Sequence, residues 1–172
     1  MKRLQADHLL VQVGARTLFH IERLDIWDGE RIGLVGENGA GKSTLLSVLY
    51  GDRLPDAGTV TRMCACAMVR QFGEAEEGFD PAIAARLHEV DAHVGMSGGE
   101  ETRRKLSHAL AMQAPLLLLD EPTTHLDFEG LRAVQETLQA YAGAMVLVSH
   151  DRELLDALCT RIWALEDGGL QV

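Results

Sequence analysis

Apolar residues in this chain cluster in short runs, which turn-forming residues separate from longer segments with helical spacing. The two runs on either side of Gly14 are rich in Leu, Val and Ile and predict an antiparallel hairpin at the start of the fold. Apolar runs predict strands over 4–13, 18–26, 32–35, 59–62, 64–69, 115–119, 144–148 and 161–166. Helical spacing predicts helices after residue 42, over 80–94, after residue 97, and over 128–141 and 153–158. This alternation predicts an α/β fold with a mostly parallel sheet covered on both faces.

Length and charge restrict the classes of protein that fit. The 172 residues, 47% of them apolar, are about enough for one domain with a real core. The 26 acidic and 16 basic residues give a net charge of −10, which opposes generic attraction to nucleic acid or to an anionic membrane, and no DNA partner is expected. The apolar runs are too short to span a bilayer and no leader opens the chain, so we expect a cytoplasmic protein without membrane insertion.

The three cysteines form no zinc-like pair of Cys-x-x-Cys knuckles. Cys64 and Cys66 are predicted to point to the same face of one strand, and Cys159 lies near the end of the chain. We expect buried, reduced thiols without a metal or redox role.

The strongest motif is GENGAGKST at residues 36–44, which matches the phosphate-binding loop G-x-x-x-x-G-K-[ST], or Walker A motif. It lies between a predicted strand and a predicted helix, which is the context that the motif requires. The glycines let backbone N–H groups approach the phosphates, Lys42 reaches the β- and γ-phosphates, and the Ser43 hydroxyl is a Mg²⁺ ligand. The predicted phosphate-binding residues are Gly36, Glu37, Asn38, Gly39, Ala40, Gly41, Lys42, Ser43 and Thr44.

Polar side chains also follow two other predicted strands. Asp120 and Glu121 end one buried run, and His150 follows another. Two carboxylates at the end of a buried strand are costly unless something binds there. Ligands of a parallel sheet bind at the carboxyl ends of its strands, where Gly36, Asp120 and His150 all fall.

Ser97-Gly98-Gly99-Glu100 precedes a strongly helical segment. Its Ser-x-x-Glu spacing is that of a helix capping box, which is a purely structural role. The same geometry presents free N–H groups of Ser97, Gly98 and Gly99 to an anion, and both roles are compatible.

These motifs in this order, together with Gln71, the sequence EPTTHLD and the sequence SHD, resemble the nucleotide-binding domain of ABC ATPases over nearly the whole chain. The resemblance implies one domain over 1–172, with a short helical subdomain at about 73–113, and implies ATP and Mg²⁺ as ligands. It implies that Asp120, in the Walker B motif, holds Mg²⁺ and that Glu121 is the catalytic base. It also implies that Gln71 senses the metal and the γ-phosphate, that His150 contacts the γ-phosphate, and that Asp127 lies at a dimer seam.

The sequences of these motifs are most similar to those of the ABC-F branch, whose members act on ribosomes rather than in membranes. SGGE with Arg103, EPTTHLD and VSHDRELLD carry this similarity, and the short spacing between Gln71 and Ser97 favours a non-transporter. Met96 and Thr124 depart from the usual Leu and Asn. Val13 stands where the family often has an aromatic that stacks on adenine, so Phe19 is the next candidate for reading the base.

The resemblance therefore implies an ATP-driven switch on the ribosome, which pairs with a second nucleotide-binding domain of the same parent chain or of another copy. The ATP-binding subunit of a membrane transporter is the first alternative. A nucleotide-gated module with negligible turnover is the second, and Glu121 argues against it. DNA-repair ATPases of the same superfamily rank lower, because they usually carry long insertions.

Overall fold

The computed structural model describes residues 1–70, 106, 108–124 and 126–172. The strands are β1 (Lys2–Val13), β2 (Arg16–Trp27), β3 (Arg31–Val35), β4 (Ala57–Arg62), β5 (Cys66–Val69), β6 (Leu116–Asp120), β7 (Ala144–Val148), β8 (Arg161–Glu166) and β9 (Gly169–Gln171). The helices are α1 (Lys42–Tyr50), α2 (Phe128–Ala140) and α3 (Arg152–Leu158). Residues 108–111 are also helical.

A small antiparallel sheet with the order β2-β1-β4 leads into the fold. The predicted hairpin is confirmed, since β1 pairs with β2 from Lys2 opposite Trp27 to Val13 opposite Arg16. Burial in β2 alternates at Phe19 and Ile21 and again at Leu24 and Ile26, with a break in the period-2 pattern between these two pairs. This sheet covers one face of the main sheet.

The main sheet has the order β5-β6-β7-β3-β8-β9, and its strands are parallel except β9. Every residue of β6 and of β7 is buried, which explains their continuous apolar runs. Leu116 and Leu118 pack in the core below the small sheet, whereas Leu117 and Leu119 pack in a second core with α2 and α3. The predicted α/β fold with a parallel sheet covered on both faces is confirmed.

The strand order brings the loop after β3 beside the end of β7, and the end of β6 one strand further along. Parallel strands end at the same edge of a sheet, so the predicted phosphate loop, Asp120 and His150 share that edge. Within the described residues, no helix has the length and the apolar character needed to cross a bilayer.

The boundaries differ from the sequence-based prediction in three places. β4 begins at Ala57, two residues before the predicted strand over 59–62, and β9 was not predicted. Cys64 is not in a strand with Cys66 but in the crossing from β4 to β5. There the N–H of Met63 donates to the carbonyl of Arg3, which holds this crossing against β1.

The three cysteines are free and half-buried rather than buried. Burial raises the pKa of Cys66 and of Cys159 to about 11, so both thiols stay protonated at neutral pH.

The predicted helix over 80–94 lies outside the described residues, as does most of the predicted helical subdomain at about 73–113. That subdomain remains a prediction.

Candidate nucleotide-binding site

The loop between β3 and α1 depends on glycine at two positions. Gly36 has φ 153°, and a Cβ atom there would lie 2.4 Å from the carbonyl oxygen of Leu165. Gly41 has φ 104°, and a Cβ atom there would lie 2.8 Å from the side chain of Leu18. Larger residues would therefore push the loop away from β8 and from the small sheet.

Lys42 is the first residue of α1 and is only 9% exposed. Its Nζ donates to the carbonyls of Gly36, at 2.8 Å, and of Glu37, at 3.0 Å. An ammonium group has three donors, so one proton remains for a ligand in the loop. Gly41 caps α1 without a side-chain hydrogen bond, and no acidic residue lies in the first turn. The first N–H groups of the helix are thus available to an anion.

Asp120 ends β6 and is 7% exposed, and it lines a cavity together with Ser43. Its Oδ1 is buried and has no hydrogen-bond partner among the described residues. Burial raises the pKa of Asp120, while the Ser43 hydroxyl and the Lys42 charge oppose this shift. A buried carboxylate oxygen beside a hydroxyl fits Mg²⁺, because this hard cation prefers oxygen ligands.

Glu121 follows directly and has φ 49°, which is unusual for a residue with a side chain. Its backbone N–H donates to the carbonyl of Val148 at 3.0 Å, which fixes this turn against β7. The side chain is 13% exposed, and its Oε1 lies 3.3 Å from Nε2 of His150. The two groups form an ion pair only when His150 is protonated, and Oε1 has no hydrogen-bond partner among the described residues. Burial raises the pKa of Glu121, and the charge and backbone N–H of His150 oppose the shift.

The structure therefore brings together the loop, Asp120, Glu121 and His150 at one edge of the sheet. Asp127 caps α2, because its side chain accepts from the N–H of Gly130 at 2.8 Å. Its predicted place at a dimer seam remains a prediction. Gln71, Ser97, Gly98 and Gly99 lie outside the described residues, and their predicted roles remain predictions as well.

Three arginines without a sequence-based role line cavities at this edge. Arg53 and Arg70 line a cavity of about 460 Å³ with Ser43, Thr44 and Asp120. Arg152 lines a second cavity with Lys42 and His150. The only signal for Arg152 in the sequence is its position two residues after His150.

The sequence-based candidates for contact with the base are Val13 and Phe19. Val13 is 55% exposed at the end of β1, whereas Phe19 is completely buried in the core. A buried ring offers no face to a ligand, so the interpretation of Phe19 as a reader of the base is wrong.

We expect the chain to bind ATP and GTP with affinities within about tenfold of each other, because an exposed valine stacks poorly on a purine. Val13→Trp should strengthen binding of both nucleotides by roughly fivefold or more, since stacking of a base on an aromatic ring contributes about 1–3 kcal/mol. Calorimetry with each nucleotide measures this. Val172→Trp, which changes another exposed valine, is the matched control and should change neither affinity. Unchanged binding in Val13→Trp would place the base elsewhere.

Comparisons with known proteins fit this geometry. The family model described as "ABC transporter" matches residues 20–76. The chain is 39% identical to the ribosome protection protein VmlR of Bacillus subtilis, covering 91% of this chain and 30% of that protein. It is 37% identical to the erythromycin resistance ATP-binding protein MsrA of Staphylococcus epidermidis, covering 98% of this chain and 35% of that protein. It is 34% identical to the energy-dependent translational throttle protein EttA of Escherichia coli K12, covering 98% of this chain and 36% of that protein.

The chain thus spans about a third of the length of the curated relatives that it matches. Among solved structures, "RNase-L Inhibitor" superposes with a TM-score of 0.80 at 24% identity, covering 95% of this chain and 37% of that chain. A putative metal-chelate type ABC transporter superposes with a TM-score of 0.78 at 22% identity, covering 99% of this chain and 82% of that chain. At these identities the structures show a shared fold.

Proposed function

We propose a function from the premise that this chain belongs to the ABC ATPases, in their ABC-F branch. The chain binds Mg-ATP and hydrolyses it. It acts in the cytoplasm as a nucleotide-driven switch on the ribosome. The observation that supports it most is the joint position of Lys42, Asp120 and Glu121 at one sheet edge. Phosphoryl transfer needs a cation, a metal site and a base, and these three residues supply them.

The chain's own residues divide this work. The loop N–H groups and Lys42 bind the phosphates, and Ser43 and Asp120 are the described residues that would hold Mg²⁺. The metal, when bound, neutralises charge on the phosphate oxygens. Glu121 accepts a proton from the water that attacks the terminal phosphate, and its turn against β7 holds the carboxylate in place. His150, whose Nε2 lies 3.3 Å from that carboxylate, would contact the γ-phosphate.

A second nucleotide-binding domain completes the site in this proposal. Ser97, Gly98 and Gly99 of one domain would close over the γ-phosphate that the other domain holds, so that one chain contains two half-sites. We therefore infer that the isolated chain is a poor ATPase and a monomer without nucleotide.

Co-sedimentation tests the ribosomal partner. The intact protein with Glu121→Gln, which keeps the shape of the side chain but removes the base, should sediment with purified ribosomes in Mg-ATP and not in Mg-ADP. Equal sedimentation with ribosomes in Mg-ATP and in Mg-ADP, or no sedimentation with them in either, would contradict a nucleotide-driven switch on the ribosome. Recovery of the protein in the membrane fraction of cells instead would favour the alternative, the ATP-binding subunit of a transporter.

A further inference from the structure

Arg152, like the exposed Arg16 on β2, has no hydrogen bond or ion pair with another described residue, but unlike Arg16 it lines the cavity beside Lys42. It is the first residue of α3 and is exposed. Arg132 on α2, by contrast, donates from Nε to Glu136 at 3.0 Å. Arg161 on β8 donates to Glu30, also at 3.0 Å. The guanidinium of Arg152 therefore has all its donors available within the described part of the chain.

The cavity beside Arg152 lies at the edge where nucleotide binds in our proposal. Its lining is formed by Val35, Gly36, Lys42, Ser149, His150, Arg152 and Leu155. Two of these residues are cations and none is acidic. The two carboxylates next to Arg152 along the chain, Asp151 and Glu153, do not line the cavity, and Asp151 accepts a hydrogen bond from the N–H of Leu154 at 3.1 Å.

The size of this cavity suits one chemical group. Its volume is about 150 Å³, whereas pockets that enclose a whole small molecule measure roughly 300–1,000 Å³. A cavity of this size between Lys42 and Arg152 fits the terminal phosphate of a nucleotide whose remaining phosphates lie along the loop. The planar guanidinium also matches phosphate oxygens with two donors at once.

We propose that Arg152 is a second phosphate-contacting cation of this site, which reaches the terminal phosphate of a nucleoside triphosphate from the β7 side. This inference rests on the proposed nucleotide site. Lys42 reaches the β-phosphate, which di- and triphosphates share, as well as the γ-phosphate, whereas Arg152 interacts only with the terminal phosphate of the triphosphate. Arg152 therefore gives the chain part of its preference for the triphosphate state.

Calorimetry of the monomeric chain with Mg-ADP and with a non-hydrolysable Mg-ATP analogue tests this. Arg152→Ala should weaken binding of the analogue about tenfold and change the affinity for ADP less than about twofold, since a charged hydrogen bond to phosphate is lost in one case only. Arg152→Lys should fall between the parent and the alanine variant. Arg132→Ala, which removes an exposed charge from the neighbouring helix, should change neither affinity.

The possible results distinguish a failure of the role of Arg152 from a failure of the proposed nucleotide site. If the parent binds the analogue but Arg152→Ala binds it equally well, or loses both nucleotides equally, Arg152 does not contact the terminal phosphate. An effect that appears only at concentrations where light scattering shows dimers would assign Arg152 to a contact between copies and overturn the inference. If the parent binds neither nucleotide, the site itself is wrong.

Discussion

Lys42→Ala is expected to weaken binding of Mg-ATP by roughly a hundredfold or more. Lys42 is nearly buried, and its ammonium group lies in the curve of the loop between Gly36 and Glu37. Removal of one partner from a buried charge pair costs about 2–5 kcal/mol, because the other charge is left without compensation. Only backbone N–H groups would remain in the loop to bind phosphate. Calorimetric titration of the variant with Mg-ATP measures the loss.

Two controls make this result specific. Lys2→Ala removes a lysine from the small sheet, where its Nζ lies 3.0 Å from Asp25, and should leave nucleotide affinity unchanged. Thermal unfolding followed by circular dichroism should show that Lys42→Ala is still folded. If the folded variant binds Mg-ATP as tightly as the parent, the assignment of the loop is wrong.

Glu121→Gln is expected to lower ATP hydrolysis by about 10²–10⁴-fold while ATP binding is kept, because a general base contributes a factor of this size. Glutamine has the same shape and can occupy the same turn against β7, but it cannot accept the proton of the attacking water. Phosphate release from the assembled two-domain protein measures turnover, and retention of radiolabelled ATP measures binding.

Glu153→Gln is the matched control, since Glu153 is an exposed carboxylate on α3 and should not affect turnover. A Glu121→Gln variant that releases phosphate at the rate of the parent would assign the base to another residue.

Much of this site is visible in the sequence because its parts are local. The phosphate loop depends on a contiguous run from Gly36 to Thr44, and the buried strands β6 and β7 each end in a polar residue or just before one. The periodicity of the chain indicates a parallel sheet, and a parallel sheet places all these ends at one edge. The positions of Asp120, Glu121 and His150 follow from these two facts.

The features that could not be predicted depend on contacts between distant residues. Phe19 has an aromatic ring that could stack on a base, but pairing of β1 with β2 turns this ring into the core. Cys64 continues an apolar run in the sequence, yet the chain must leave one sheet for the other at that point. The left-handed backbone of Glu121 and the cavity beside Arg152 arise only when β3, β6 and β7 are assembled.

The central claim is that ATP pairs two such domains through a shared site, and light scattering of the Glu121→Gln chain tests it most directly. A net charge of −10 on each copy opposes pairing, so the measurement should be made at moderate salt. We predict a monomer without nucleotide and with Mg-ADP, and a dimer with Mg-ATP that disappears when Ser97→Arg is added. A Glu121→Gln, Ser97→Arg double variant that still dimerises with Mg-ATP would contradict the shared site.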